Sequence, residues 1–247
     1  KLSGESTPRS VIHLASYPNQ AAVHVDQYGA LSSMTANTHS MAALAQKLKA
    51  RFVYVSSSMA YGNFTRMPMP ENETLNPVNL YGMLKSHGED IAKLTCNDTV
   101  IVRPSAVYGP GDNLNRVLGK WISRALNNRD LEVHNPGSLL DFTHVMDTAR
   151  GIIAAEQNGV AGKAYNITYG EGRSLGEAAW LVKNLTGASG IRINYESHKS
   201  DSDPQRGALD IELAKTELGY KPKINLHTGI GLYIDWMRRY DHVYKVL

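Results

Sequence analysis

Apolar, β-branched residues gather in four short runs along the chain: VIHLA at 11–15, FVYVSS at 52–57, TVIVRPS at 99–105 and KAYNIT at 163–168. Each is short and nearly continuous, which predicts a strand buried on both faces. Between the first three lie two stretches of helical period, 34–49 (MTANTHSMAALAQKLK) and 79–95. Both are rich in Ala, Leu, Met and Lys, residues that enter a helix at little cost. Strand, helix, strand, helix, strand describes right-handed crossovers in one parallel sheet. The fold class predicted is α/β with a doubly wound parallel sheet.

The C-terminal third has a different pattern. Segments 174–187, 211–218 and 226–246 have helical period, separated by a short strand, IRINYE, and a polar loop, SHKSDSDPQRG. They predict a smaller, mostly helical substrate lobe. The sheet domain is expected to comprise residues 1–105 and 143–170, and the lobe residues 106–142 and 171–247. A doubly wound dinucleotide domain begins with a strand, a glycine-rich turn and a helix. Only a short polar stretch precedes VIHLA, so the first βαβ unit is expected to be missing from these residues. One stretch imitates the glycine-rich turn: YGEGRSLGEAAW, with Gly170, Gly172 and Gly176. Its spacing is one residue too long for GxGxxG, and Ser174 with Glu177 forms S-x-x-E, so it reads as a helix cap.

Composition narrows the partners. Apolar residues make up 42% and charged residues 20%, with a formal charge of +3, the balance of an ordinary globular protein. No basic stripe points to nucleic acid. The single cysteine, Cys96, excludes an intramolecular disulfide and a cysteine-rich metal site, and no metal is expected. No apolar run reaches bilayer length, and KLSGESTPRS lacks the features of a signal peptide, so no membrane partner and a cytoplasmic location are expected.

The chemistry centres on NLYGMLK at 79–85. With 13 tyrosines in the chain, a Y-x-x-x-K arises by chance about once. Two are present, Tyr81/Lys85 and Tyr195/Lys199. Tyr195 lies in a strand and Lys199 in the polar loop after it, so nothing brings that pair together. Tyr81 and Lys85 lie on a predicted helix, where positions four apart share a face. A tyrosine is a poor base at neutral pH, but an adjacent ammonium favours the phenolate. Such a pair can take a proton from an alcohol while hydride leaves its carbon. The alternative is an amphipathic helix with a half-buried tyrosine and a solvated lysine. The run FVYVSSSMAYG favours the first reading, because it brings serines to the carboxyl end of the sheet, where ligands of open α/β sheets bind. Ser57 or Ser58 can then donate to a substrate oxygen beside Tyr81, unless the serines only cap the next turn.

In order along the chain, VIHLAS, the segment from Asn37, FVYVSSSMAYG, NPVNLYGMLKSHGE, VRPSAVYGPGDN, LLDFTHVMD, KAYNIT and RGALDIELAKTELGYKP resemble the extended short-chain dehydrogenase/reductase family of nucleotide-sugar epimerases and dehydratases. The resemblance implies a Rossmann-like domain and NAD or NADP as cofactor, NAD favoured. It implies Ser57, Tyr81 and Lys85 as catalytic residues, with Tyr81 the base and Lys85 also bonding the nicotinamide ribose. Ala15, Ser16, Asn37 and Ser105 fall where family members contact the cofactor. The implied substrate is a nucleotide-diphosphate sugar, and the implied assembly is a homodimer packed through the Tyr81 helix, with Leu80, Leu84 and Ile91 as its apolar positions.

Family members that eliminate water from the sugar place Asp and Glu after the catalytic hydroxyl; here those positions are Ser58 and Met59. A 4,6-dehydratase and a decarboxylase of the usual pattern are disfavoured, and a 4-epimerase acting by transient oxidation is expected. A ketone reductase and a non-catalytic homologue lacking the dinucleotide loop are the alternatives. Two phosphate contacts of the family are replaced, by Ala106 and Leu140. Arg116, Lys120 and Arg206 are the candidates to substitute for them, if they are not merely solvated, and Ser58 is a further candidate substrate contact.

Overall fold

The computed structural model describes residues 8–197 and 204–240. In chain order the elements are β1 (Ser10–His13), α1 (Gln20–Val25), α2 (Gln27–Leu48), β2 (Arg51–Val55), a 3-10 turn (Ser58–Tyr61), α3 (Leu80–Thr95), β3 (Thr99–Arg103), β4 (Ala106–Tyr108) and α4 (Val117–Leu126). There follow β5 (Leu131–His134), β6 (Leu139–His144), α5 (Val145–Asn158), β7 (Ala164–Asn166), β8 (Gly172–Ser174), α6 (Leu175–Thr186), β9 (Ile193–Glu196), α7 (Glu212–Leu218) and α8 (Leu226–Arg239).

The four apolar runs form one parallel sheet in the order β1-β2-β3-β7. Successive side chains of a strand point to opposite faces, and here both faces are covered. Phe52, Tyr54 and Ile101 pack with Ala42, Ala45 and Ala92 of α2 and α3. Val53, Val100 and Val102 pack on the other side with Ile152 and Ala155 of α5 and Ala214 and Leu218 of α7. Helices on both faces make the sheet doubly wound, as expected. The residues from 171 onward, expected wholly in the second lobe, divide: α6 and α8 enter the lobe core, whereas α7 covers the sheet. That lobe core joins α4, α6 and α8 to residues of β4, β5 and β6, and β5 pairs in parallel with β9, the IRINYE segment.

Local chemistry sets the helix ends. Asp26 caps α2 by accepting from the Gly29 amide at 2.9 Å, so this helix starts seven residues before its predicted start at 34. Asn79 caps α3, accepting from Gly82 N at 2.9 Å, and Ser174 caps α6, accepting from Glu177 N at 3.1 Å. The Glu177 carboxylate turns to Arg173, so half of the expected capping box forms. Residues 241–246 of the last predicted helix and Lys199 lie outside the described residues. Leu84, expected on a dimer surface, is instead buried against Val23, Ala30 and Met34 of α1 and α2.

Two buried carboxylates tie the lobes together. Asp141 of β6 accepts from the amides of Tyr169, Gly170 and Leu209. Asp147 of α5 accepts from the amides of Lys223 and Ile224 at 2.9 and 2.8 Å and from Arg150 at 2.7 Å. Backbone amides thus answer each carboxylate, although for Asp141 burial still dominates and pushes its pKa up to about 6.

Candidate active site

The carboxyl ends of the parallel strands bring together the loops 14–16, 56–58, 104–105 and 167–170, and the site is built on this rim. Its first feature is the sorting of three consecutive serines. Ser56 donates to Glu89 Oε1 at 2.6 Å, facing inward. Ser57 caps the 3-10 turn by accepting from Met59 N at 3.2 Å, and its hydroxyl lies close enough to the Tyr81 phenol to favour the phenolate. Ser58, 1% exposed, donates to Ser105 Oγ at 3.2 Å. Ser57 is therefore the hydroxyl that meets the tyrosine. Ser58, expected to touch substrate, is buried against Ser105, because the turn directs its side chain inward, toward β3.

Tyr81, Lys85 and Glu89 follow one another at intervals of four on α3 and share a face. Lys85 is 5% exposed; its ammonium donates to the Val55 carbonyl at 2.8 Å. It lies 5.5 Å from the centre of the Tyr54 ring and 6.0 Å from that of Tyr81. Burial pushes the Lys85 pKa down to about 8, against the opposing attraction of Glu89. The expectation that Lys85 draws the phenol toward ionisation is not met in this arrangement. Burial dominates and raises the Tyr81 pKa, while the nearby Ser57 hydroxyl and the Arg116 charge act the other way. The lysine and tyrosine head groups share a face without a direct hydrogen bond, since the ammonium turns back to β2.

Behind the rim lies a buried polar network. Arg103, at the end of β3, donates from Nε to Glu89 Oε1 at 2.9 Å and from Nη2 to Oε2 at 2.7 Å. Its Nη1 donates to the Tyr61 hydroxyl at 2.9 Å and to the Glu71 carbonyl at 3.0 Å. Tyr61 donates in turn to Asn166 Oδ1 of β7 at 2.8 Å. On the β1 side, the buried His13 contacts the Thr38 hydroxyl at 3.3 Å; burial, and then the Lys85 charge, lower its pKa.

The other expected contacts are spread along the rim. Ala15 and Ser16 are exposed in the loop after β1. Asn37 is exposed on α2, one residue before Thr38, and donates to Ser33 Oγ at 2.9 Å. A cavity of about 890 Å³ opens in the second lobe, lined by Lys120, Trp121, Glu132, His134, Leu140 and Arg206 among others. Ser57, Tyr81 and Lys85 do not line it. Arg116 bridges the two regions: its neighbours Asn115 and Val117 line the cavity, and its charge acts on Tyr81. Arg116 pairs with Asp112 at 3.6 Å. The two family departures also have places here, Leu140 in the cavity wall and Ala106 buried in the lobe core.

Sequence reasoning missed Ser56, Glu89 and Arg103. The signal for them was available: Y-x-x-x-K continues to Glu89 at the same spacing, and Arg103 closes a strand otherwise made of Thr, Val and Ile. A charge in a fully buried strand requires a partner.

Residues 1–168 match the family described as NAD dependent epimerase/dehydratase. The chain is 29% identical over 194 residues to a dTDP-glucose 4,6-dehydratase of Actinoplanes, covering 76% of this chain and 60% of that protein. It is 29% identical over 242 residues to UDP-glucuronic acid decarboxylase 1 of Xenopus tropicalis, covering 93% of this chain and 56% of the other. The chain thus spans less than two thirds of the length of either relative. Its fold is similar to that of the UDP-glucuronic acid 4-epimerase of Bacillus cereus, solved with UDP-glucuronic acid and NAD, with a TM-score of 0.85 and 24% identity over 94% of this chain and 76% of that one.

Proposed function

Because the chain belongs to the NAD dependent epimerase/dehydratase family, we propose that it epimerises a nucleotide-diphosphate sugar at C4 by transient oxidation of a hydroxyl. The observation that carries this reading is the approach of the Ser57 hydroxyl to the Tyr81 phenol, beside the buried Lys85. Ser57 holds the reacting oxygen, and Tyr81 exchanges its proton. Lys85 supplies a positive charge to the same spot.

NAD is the proposed cofactor, as in the Bacillus cereus enzyme of similar fold. When bound, it supplies the acceptor and donor of hydride. The donor set fits it: Lys85 uses one N–H on Val55, and among the described residues no acceptor takes its other two, which suits a ribose diol. Ala15, Ser16, Asn37 and Ser105 complete the proposed rim contacts.

The residues after Ser57 favour epimerisation over the elimination or decarboxylation of the two named relatives. Ser58 and Met59 are both buried and neither is an acid, which leaves Tyr81 as the proton carrier. The diphosphate is assigned to the second-lobe cavity, with Lys120 and Arg206 in its wall and Arg116 toward the sugar. The proposed assembly is a homodimer through α2 and α3, on which Leu31, Met83 and Leu94 are exposed.

Incubation with NAD and a panel of UDP-, GDP-, CDP- and dTDP-sugars tests this. The expected result is an epimer without net change in the cofactor, lost in Tyr81→Phe; turnover that survives this substitution removes the proposed proton carrier. A ketone reductase is the second reading, favoured by the raised Tyr81 pKa, which keeps the phenol ready to donate a proton. Net consumption of NADH or NADPH distinguishes it.

A further inference from the structure

We propose that Glu89 and Arg103 form a positioning pair that keeps the buried Lys85 protonated and fixes the strand end that presents Ser57; its bearing on catalysis rests on the reading of Ser57, Tyr81 and Lys85 given above. Neither residue reaches the rim itself. Both carboxylate oxygens of Glu89 are taken by Arg103, and Oε1 also accepts from Ser56. Ser56 is the residue before Ser57, and Lys85 is one helical turn before Glu89. One anchored carboxylate therefore holds α3 and the end of β2 in register. Through Nη1, Arg103 extends the same hold to Tyr61, the last residue of the turn that Ser57 caps.

The electrostatics make the pair more than a staple. Lys85 faces His13 from β1, Tyr54 from β2, and Tyr81 and Glu89 on its own helix, with Arg103 of β3 beyond Glu89. The buried positions of α2, the neighbouring helix, are Ala30, Met34, Thr38, Ala42 and Ala45, none of them charged. Arg116 acts on the far side, at Tyr81. Among the described residues Glu89 is thus the anion that favours the ammonium against its desolvation. Arg103 is placed to anchor that carboxylate and to screen part of its charge. Without Glu89, the Arg103 cation acts on Lys85 uncompensated.

The test reads the Lys85 titration directly, by NMR of protein carrying ε-carbon-labelled lysine, with Lys85→Met to assign the resonance and no substrate present. In Glu89→Gln the Lys85 pKa is expected to fall by about one pH unit or more, because an anion is lost and a cation exposed. In Glu89→Gln/Arg103→Met it is expected to return part of the way to the parent value. Equal Lys85 titration in the parent and Glu89→Gln overturns the proposal. Should Glu89→Gln not fold, the double variant carries the comparison, since it removes the Arg103 charge together with its partner: a Lys85 pKa below the parent's supports the proposal, and an equal one overturns it. Lack of epimerase turnover in the parent overturns the proposed reaction and leaves this result intact.

Discussion

Replacing Lys85 with methionine should make the protein more stable at neutral pH while removing the activity proposed for it. Methionine keeps an unbranched stem that packs in the same space and carries no charge. Burial depresses the Lys85 pKa from 10.5 to about 8. Between those two values the unfolded chain holds a proton that the folded chain has released, so stability rises with pH across the window and is lowest below it. At about 1.4 kcal/mol per pH unit, the buried ammonium costs roughly 3 kcal/mol at pH 7. The substitution also strips the Val55 carbonyl of its donor, at a cost of about 1–3 kcal/mol. The first effect exceeds the second, and the expected gain at pH 7 is on the order of 1 kcal/mol. By about pH 10.5 the parent has recovered its deficit and becomes the more stable, so the two curves cross. Urea unfolding followed by circular dichroism, on both proteins from about pH 6.5 to 11, measures the difference. A difference that stays constant across this range refutes the reasoning, because it means that Lys85 titrates alike in the folded and unfolded chains.

Three further outcomes follow from packing and hydrogen bonding. A methyl group at Gly88 meets the Tyr54 hydroxyl and the ring carbon that bears it before any other atom, so Gly88→Ala should cost about 1–3 kcal/mol in urea unfolding; Tyr54→Phe should relieve only part of that cost, because the ring carbon stays in the way, and full relief would assign the clash to the hydroxyl alone. Asp141→Asn should cost about 1–3 kcal/mol, since both carboxylate oxygens accept from backbone amides and either flip of the amide sets an N–H against an N–H; faster hydrogen exchange at Tyr169, Gly170 and Leu209 is the local readout. If the cavity holds a diphosphate, Leu140→Arg should tighten the binding of a nucleotide-diphosphate sugar about tenfold, the worth of one charged hydrogen bond, as measured by calorimetry.

The parallel sheet was legible because its strands are covered on both faces, so FVYVSS and TVIVRPS are apolar at nearly every position. The Tyr81 helix was legible for the opposite reason, its period being marked by polar residues and opened by Asn79 as cap. The second lobe was harder to read. Its β5 and β6 pair with β9 and with β4 and β8, all distant in sequence, and neither LEVH nor LLDFTH is a continuous β-branched run, so no local run announces them. Its α4, VLGKWISRAL, does have a clear apolar stripe, with Leu118, Trp121, Ile122 and Ala125 buried, and this amphipathic pattern was available in the sequence. The assignment of α7 could not be made locally, because ELAKTEL buries only Ala214 and Leu218, a stripe that fits either core. Spacing alone placed Tyr81 and Lys85 on one face. It could not reveal that the ammonium bends back to Val55, because the acceptor belongs to a strand 30 residues away.

Two kinds of buried charge in this chain call for different explanations. Asp141 and Asp147 are surrounded by backbone amides that would themselves be unpaired without them, so their contribution is to the fold: each clips a distant loop to β6 or α5. Lys85, Glu89 and Arg103 have no such reason to be buried. Apolar substitutes for a buried ion pair are often as stable or more so, and the lysine lowers stability at neutral pH. Packing alone therefore does not account for three charged side chains between α3 and the sheet. What they share is direction: Lys85 is one helical turn from Tyr81, Glu89 accepts from Ser56, the residue before Ser57, and Arg103 holds Glu89 and Tyr61. A buried charged cluster beside two hydroxyls on a sheet rim supports the proposed proton exchange at Tyr81.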